Sequence, residues 1–500
     1  MKGGLMVCGT SSDAGKSVLV TGLCRLLARR GVSVAPFKAQ NMSLNSYITP
    51  SGHEIGRAQG VQALAAGIEP DVAMNPILLK PTSDTGSQVV LNGRPVADMT
   101  ARQYHEHRPR LLDAVLSSLA DLRGRFDVVV AEGAGSPAEI NLLDHDIVNL
   151  RVAYEAVLPA VVVGDIERGG VFAALYGTVA LLPENYRALV RGFVINKFRG
   201  DPSLLGDGPE QLEARCGVPT LGVLPYVRGV GLDAEDSLAL ASWPPAETND
   251  DGDHGAPAAV DVAVVRLPHL SNFTDFDPLA LEAGVRVRLA RGPADVAGAD
   301  LVVIPGTKAT VADLEWMRRR GFVPALEAVR AGGGTVLGIC GGYQMLGRVI
   351  NDEIESGAGK VPALDWLDVD TEFGPEKVTA RRRGRSLGQA VTGYQIHHGR
   401  AAPGPGAEPW ITLEEEGGAS REGAASADGA VMGTSLHGLF EADGFRTAFL
   451  ERVAGRRGRT FPGSTVSFPA ARQRRFDGLA DLIEAHLDVE RLLAIIDSAG

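Results

Sequence analysis

The chain is poor in the features that mark several large classes of protein. Its 500 residues include four cysteines, scattered as Cys8, Cys24, Cys216 and Cys340. That spacing suits neither a disulfide framework nor a zinc module, and it fits a reducing compartment. Aromatic residues make up 5% of the chain, and no internal repeat is visible. No apolar run reaches the length that crosses a bilayer. Basic residues are outnumbered, 49 Lys and Arg against 61 Asp and Glu, for a net charge of −12. That balance gives no electrostatic reason to expect nucleic acid or an anionic membrane as a partner. Met1-Lys-Gly-Gly leads directly into a strand-like run rather than a signal peptide. A cytoplasmic location is expected, with the oligomeric state left open.

What the chain does have is alternation. Short Val/Ile/Leu runs are separated by longer amphipathic stretches, the pattern of parallel sheets covered by helices. Strands are expected at Leu5–Gly9, Val32–Phe37, Phe126–Ala131, Ala160–Gly164, Gly192–Ile195 and Thr220–Val223, with a helix from about Gly15 to Arg30. Residues 239–260 are polar and rich in breakers, and read as a linker. A second series follows at Asp261–Arg266, Val285–Leu289, Leu301–Ile304 and Thr335–Ile339. Ala401–Glu408 and Glu414–Gly423 read as surface loops. The fold class is therefore α/β, with domains at 1–238 and 261–445 and a C-terminal helical segment at 446–500.

Two motifs carry chemistry. Gly9-Thr-Ser-Ser-Asp-Ala-Gly-Lys-Ser17 follows a strand and opens a helix, the context a phosphate-binding loop requires. Five residues, not the usual four, separate its two glycines. Thr10, Asp13 and Gly15 would line bound ATP, Lys16 would neutralise phosphate charge, and Ser17 would ligate Mg²⁺. Glu132, at the end of Asp127-Val-Val-Val-Ala-Glu132-Gly-Ala-Gly-Ser136, is the candidate second Mg²⁺ ligand. Lys38, ending the second strand, reads as a phosphate or substrate-carboxylate contact, or as a solvated lysine. Asn196, paired with Lys197 at another strand end, is a candidate for the nucleobase edge, and Asp165 closes a strand nearby. All sit at carboxyl ends of expected parallel strands, where such sheets bind ligands.

The second motif is Thr335-Val-Leu-Gly-Ile-Cys-Gly-Gly-Tyr-Gln-Met-Leu-Gly347. A tight strand-to-helix turn there would expose the Cys340 thiol and aim helix N–H groups at it. A buried structural cysteine is the alternative.

The first half resembles the dethiobiotin synthetase-like branch of P-loop ATPases in its longer loop, its Glu-Gly-Ala-Gly turn and its Asn-Lys pair. That resemblance implies phosphorylation of a carboxylate. Residues 261–445 resemble a class I glutamine amidotransferase domain, which implies Cys340 as nucleophile and His437 as its base. It also implies the N–H groups of Gly306, in Val303-Ile-Pro-Gly-Thr-Lys308, and of Gly341 as oxyanion donors. Most such domains carry a glutamate two residues after the histidine, but this chain has Leu439. A Cys–His dyad, or an orienting group from elsewhere, is therefore implied. Glu441 lies close in sequence. His397 and His398, in Gly393-Tyr-Gln-Ile-His-His-Gly399, are rivals whose expected role is structural or in substrate contact.

Nearly the whole chain is similar to the cobyric acid synthase family. Phe37-Lys-Ala-Gln-Asn-Met-Ser-Leu-Asn-Ser46, Gly56-Arg-Ala-Gln59 and Asn75-Pro-Ile-Leu-Leu-Lys-Pro81 carry that similarity. It implies glutamine and a corrinoid a,c-diamide as substrates, with Lys38, Asn41 and Asn45 as substrate contacts. The sibling a,c-diamide synthases are the alternative within enzymes. An ATP-dependent switch with a degenerate amidotransferase module is the alternative outside them.

Overall fold

The computed structural model describes residues 1–82, 85–227, 259–464 and 466–500. The chain divides into two units. One holds the described residues up to Val227 together with Arg472–Gly500, and the other runs from Ala259 to Ala471. The expected linker, 239–260, lies outside the described residues apart from its last two.

In the first unit a six-stranded parallel sheet runs in the order Thr220–Pro225, Val190–Phe198, Ala160–Asp165, Gly3–Gly9, Val128–Glu132, Val34–Phe37. The central strands read as unbroken apolar runs because both faces are covered. Leu5, Val7, Val128 and Val130 face the helix Lys16–Arg29, while Met6, Cys8, Val129 and Ala131 face a separate cluster that includes the helix Ala101–Arg125. All six expected strands are present, shifted by one to three residues at their ends. A smaller four-stranded sheet, Gln40–Met42, Ile77–Pro81, Gly86–Leu91 and Arg94–Thr100, was not foreseen, and neither was the hairpin Ser46–Ile48/Glu54–Gly56. These strands are short and several are polar, so they show little hydrophobic periodicity.

The second unit centres on the parallel strands Val285–Ala290, Val260–Val265, Leu301–Ile304, Thr335–Ile339 and Val431–Thr434, with the antiparallel strand Ala424–Ala425 at one edge. Beside it lies a mostly antiparallel sheet built on the long pair Val369–Ser386 and Gln389–Pro403. Here two expectations are corrected. Glu414–Gly423 is mostly a hairpin, Ile411–Glu415 with Gly418–Glu422, and the strand Gln389–Pro403 runs into the expected loop at Ala401. Charged residues on the open faces hid the alternation.

Residues 446–500 do not form a unit of their own. The helix Asp443–Gly455 buries Phe445, Phe449 and Leu450 in the second unit's core. Ile483, Leu492 and Ile496 from the last two helices, with Leu487 between them, complete the first unit's core against Leu19 and Leu23. A helical period identifies an apolar stripe but not the surface that covers it.

Candidate active sites

In the first unit the loop after the central strand turns through Asp13 (φ 59°) and Gly15 (φ 97°) into the helix Lys16–Arg29. Only glycine fits at position 15, because a Cβ there would stand 2.0 Å from Asn196 Nδ2. Asn196 Nδ2 donates to the Ala14 carbonyl at 2.9 Å and so braces the loop. Lys16 Nζ lies across the turn, donating to Ser11 O at 3.0 Å and Gly135 O at 3.4 Å. The second contact joins the loop to the glycine turn that follows Glu132.

Glu132 is the hub of this cluster. Its Oε1 accepts from Ser17 Oγ at 2.8 Å and from Lys38 Nζ at 2.8 Å, and its Oε2 accepts from Gln62 Nε2 at 2.7 Å. Burial alone would push this carboxyl up, but Lys38, Gln62 and Lys16 outweigh it and hold Glu132 below the usual carboxylate range. The donors fit a magnesium ion. Ser17 and Glu132 offer hard oxygen atoms 2.8 Å apart, close to the spacing of neighbouring ligands on an octahedral ion with ~2.1 Å bonds. Phosphate and water would supply the remaining ligands.

Asn41 Nδ2 donates to Gln59 Oε1 at 3.2 Å, and the Asn45 backbone bridges Ser43 and Arg57. A second buried ion pair, Lys80 with Glu54 at 2.7 Å, takes Ser46 as a third member. Burying this many amides and paired charges is costly unless they are bonded to one another or to a ligand.

In the second unit Cys340 stands between the strand Thr335–Ile339 and the helix Gly341–Leu346, with φ 52° and ψ −109°. That left-handed geometry is strained for a residue with a side chain and is typical of a turn that presents a nucleophile. The turn is tight because Gly342 packs against backbone; a Cβ there would lie 1.9 Å from Ile304 O. Cys340 N donates to Thr434 O at 2.7 Å, which ties the turn to the strand leading to His437. Gly341 opens the helix, so its N–H has no acceptor within it. Thr307, next to Gly306, lies against Gly341, and Gly306 lies against the His437 ring.

His437 is fully enclosed and stacks on Tyr394, with ring centroids 5.3 Å apart. Its Nδ1 lies 2.7 Å from Asp275 Oδ2, and its Nε2 lies 3.3 Å from Asn272 Nδ2. Cys340 is near enough to act on the charge of the ring, and its Sγ lies 3.9 Å from Ile396 O. Burial pushes the imidazole down, but Asp275 and then Cys340 outweigh it and lift its pKa to about 10. That raised basicity suits the ring to take the proton of the Cys340 thiol.

Residues 5–238 match the family model described as the CobQ/CobB/MinD/ParA nucleotide binding domain. Residues 261–445 match the CobB/CobQ-like glutamine amidotransferase domain. A cobyric acid synthase of Rhodococcus jostii is 54% identical over 98% of this chain and 95% of its own length. Those of Frankia casuarinae and Streptomyces avermitilis are 52% and 51% identical over all of this chain, and over 98% and 97% of their own lengths. The chain belongs to the cobyric acid synthase family. As a member it is an enzyme that carries a nucleotide-binding domain and a glutamine amidotransferase domain.

Within this family member, the structure brings Lys16, Ser17, Lys38 and Glu132 into one cluster, with Gly15 and Asn196 beside it and Thr10 and Asp13 in the loop. Asn196 Nδ2 is bonded to the loop. Lys38 is buried and bonded to Glu132, not solvated. Asp165 pairs with Lys197 at 2.8 Å. Cys340, His437, Gly306 and Gly341 also converge. His397 is largely buried, which pushes its pKa down to about 4, and His398 contacts Gly374 O through Nδ1 at 3.2 Å. The residues that sequence reasoning missed are Gln62, Asn272 and Asp275. Gln62 is three residues beyond the quoted Gly56–Gln59 segment, on the same helix. Asp275 is 162 positions from His437, and no local pattern points to it.

Proposed function

We propose that this enzyme converts adenosylcobyrinic acid a,c-diamide to adenosylcobyric acid in cobalamin biosynthesis. It amidates the b, d, e and g side-chain carboxylates with ammonia drawn from glutamine, and ATP is the activator. The observation that carries this reading is the full-length identity to enzymes named cobyric acid synthase. The two bonded clusters, around Glu132 and around His437, supply chemistry suited to it.

A carboxylate resists ammonia because it is anionic and its oxide is a poor leaving group. Transfer of the γ-phosphoryl group converts it to an acyl phosphate, which ammonia then displaces. Lys16 and the backbone of residues 10–15 bind and orient the phosphates, and Lys38 together with Asn41 and Asn45 holds the acceptor carboxylate. Mg²⁺ on Ser17 and Glu132 supplies charge neutralisation when bound. In the second unit the Cys340 proton passes to His437 Nε2, and the sulfur adds to the glutamine carboxamide. The N–H groups of Gly306 and Gly341 stabilise the oxyanion, and His437 returns the proton to the leaving ammonia. Water then releases glutamate from the thioester.

The test is incubation with adenosylcobyrinic acid a,c-diamide, glutamine and Mg-ATP, following product mass over time. Loss of about one mass unit per amidation, stopping after four steps, is expected for this stepwise chemistry. Amidation of cobyrinic acid at two positions instead would assign the chain to the sibling a,c-diamide synthases.

A further inference from the structure

The position two residues beyond the histidine, where class I amidotransferases of the usual pattern carry a glutamate, holds Leu439. This side chain is 2% exposed and belongs to the apolar core with Phe440, Phe445 and Phe449. It leaves His437 without an orienting group from its own strand end. The group that meets His437 comes instead from the loop after the strand Val260–Val265. Asp275 Oδ2 lies 2.7 Å from Nδ1, and Asp275 Oδ1 accepts the Gly438 N–H at 2.8 Å. Both oxygens are therefore occupied, and the carboxylate is pinned to the imidazole and to the backbone that carries it.

We propose that Asp275 is the positioning carboxylate of this glutaminase site, making it a Cys340–His437–Asp275 triad whose acidic member precedes the nucleophile in the chain. With Nδ1–H donated to Asp275, the lone pair of the neutral ring is on Nε2, where the Cys340 proton must go. Asn272 Nδ2, 3.3 Å away, is a donor to the same nitrogen, so the loop addresses both edges of the ring. Asp275 N bonds Asn272 O at 3.1 Å, and Ser271 N bonds Gly306 O at 2.9 Å. One short loop thus sets the base and braces the oxyanion turn, which would explain how the site dispenses with a glutamate at 439. Among the described residues, the ionisable groups facing His437 include Asp275 from this loop, Cys340 from the nucleophile turn, and Tyr394 and His397 from the strand Gln389–Pro403. Asp275 is the carboxylate among these four.

The proposal rests on Cys340 and His437 as nucleophile and base, so Cys340→Ala is assayed beside the Asp275 variants to test that reading alone. For Asp275→Asn, glutamine hydrolysis should fall by about 10³- to 10⁴-fold in kcat with KM changed little, as when the carboxylate of a hydrolase triad is neutralised. The limb of the pH–rate profile set by His437 should move to lower pH, because the anion that holds its proton is gone. Asp275→Glu should recover part of the rate and return that limb toward the wild-type position. A purely structural role would lower the folded fraction, read by thermal melting, without moving the limb. Hydrolysis by folded Asp275→Asn within about threefold of wild type at every pH would overturn the proposal. If Asp275→Asn does not fold, Asp275→Glu decides. A rate at least about tenfold down in folded protein supports the triad, because a one-methylene displacement misaligns the base. An unchanged rate overturns it.

Discussion

The two clusters are built on opposite principles. Around His437 the groups already stand together: Asp275 bonded to the imidazole, Cys340 near enough to act on its charge, and the Gly306 and Gly341 turns alongside. Around Glu132 the groups that should meet a ligand meet one another instead. Lys38 and Ser17 share one carboxylate oxygen, and Lys16 lies on carbonyls of its own loop and the neighbouring turn. A site that forms a covalent bond through one residue gains from being assembled in advance. A site that binds a polyanion and a cation needs its charges neutralised until the ligand arrives, and internal pairing does that.

The comparison is broken most sharply by removing the nucleophile. Cys340→Ala should abolish glutamine hydrolysis by about four orders of magnitude or more, while amidation fed with ammonium salts continues, as read by glutamate release and by product mass. Retained hydrolysis would mean that the pre-assembled cluster is not the amide-donor site.

The next effect is on stability. Lys38→Met leaves the Glu132 carboxylate buried without its main cation and should cost ~3–5 kcal/mol in chemical unfolding without nucleotide. The sign with pH follows from Glu132 being held below its ordinary value of 4.5. The native-state advantage is present above about pH 4.5 and is lost as the pH falls through the lower folded value. The gap between variant and wild type should therefore close in acid.

Leu439→Glu would restore the glutamate of the common pattern. Because position 439 is enclosed by aromatic side chains and the Nδ1 partner is already Asp275, a buried unpaired carboxylate should destabilise the fold by about 3 kcal/mol. Glutaminase kcat should not rise. An increase would show that the histidine was under-oriented.

The smallest effect is the mirror of the Lys38 experiment. His437 is raised from 6.5 to about 10, so its protonated form adds stability that is complete below about pH 6.5 and is lost as the pH rises toward 10. The melting difference between wild type and Asp275→Asn should shrink over that window, as measured by calorimetry. The two buried pairs should thus titrate away in opposite directions.

The same contrast explains what was legible. The phosphate loop and the nucleophile turn are contiguous because each is a strand, a tight turn and a helix in succession, and that geometry writes itself into neighbouring residues as glycines and apolar runs. Lys16, Ser17 and Cys340 could be read for that reason, and Glu132 from its place at a strand end. The strands 40–42, 77–81 and 86–100 were not legible, because their pairing partners rather than their periodicity make them strands. The C-terminal helices were legible as helices but not as part of the first core.

By itself the sequence determined the α/β class, the two halves, the glycine-rich loop before Lys16 and the turn that bears Cys340, since each depends on local backbone geometry. Only the tertiary structure decided that Lys38 is buried against Glu132, that residues 446–500 are shared between two cores, and that Asp275 takes the place Leu439 cannot fill. Those facts depend on which surfaces meet across long stretches of chain. A carboxylate 162 residues from its imidazole leaves no mark on the residues in between.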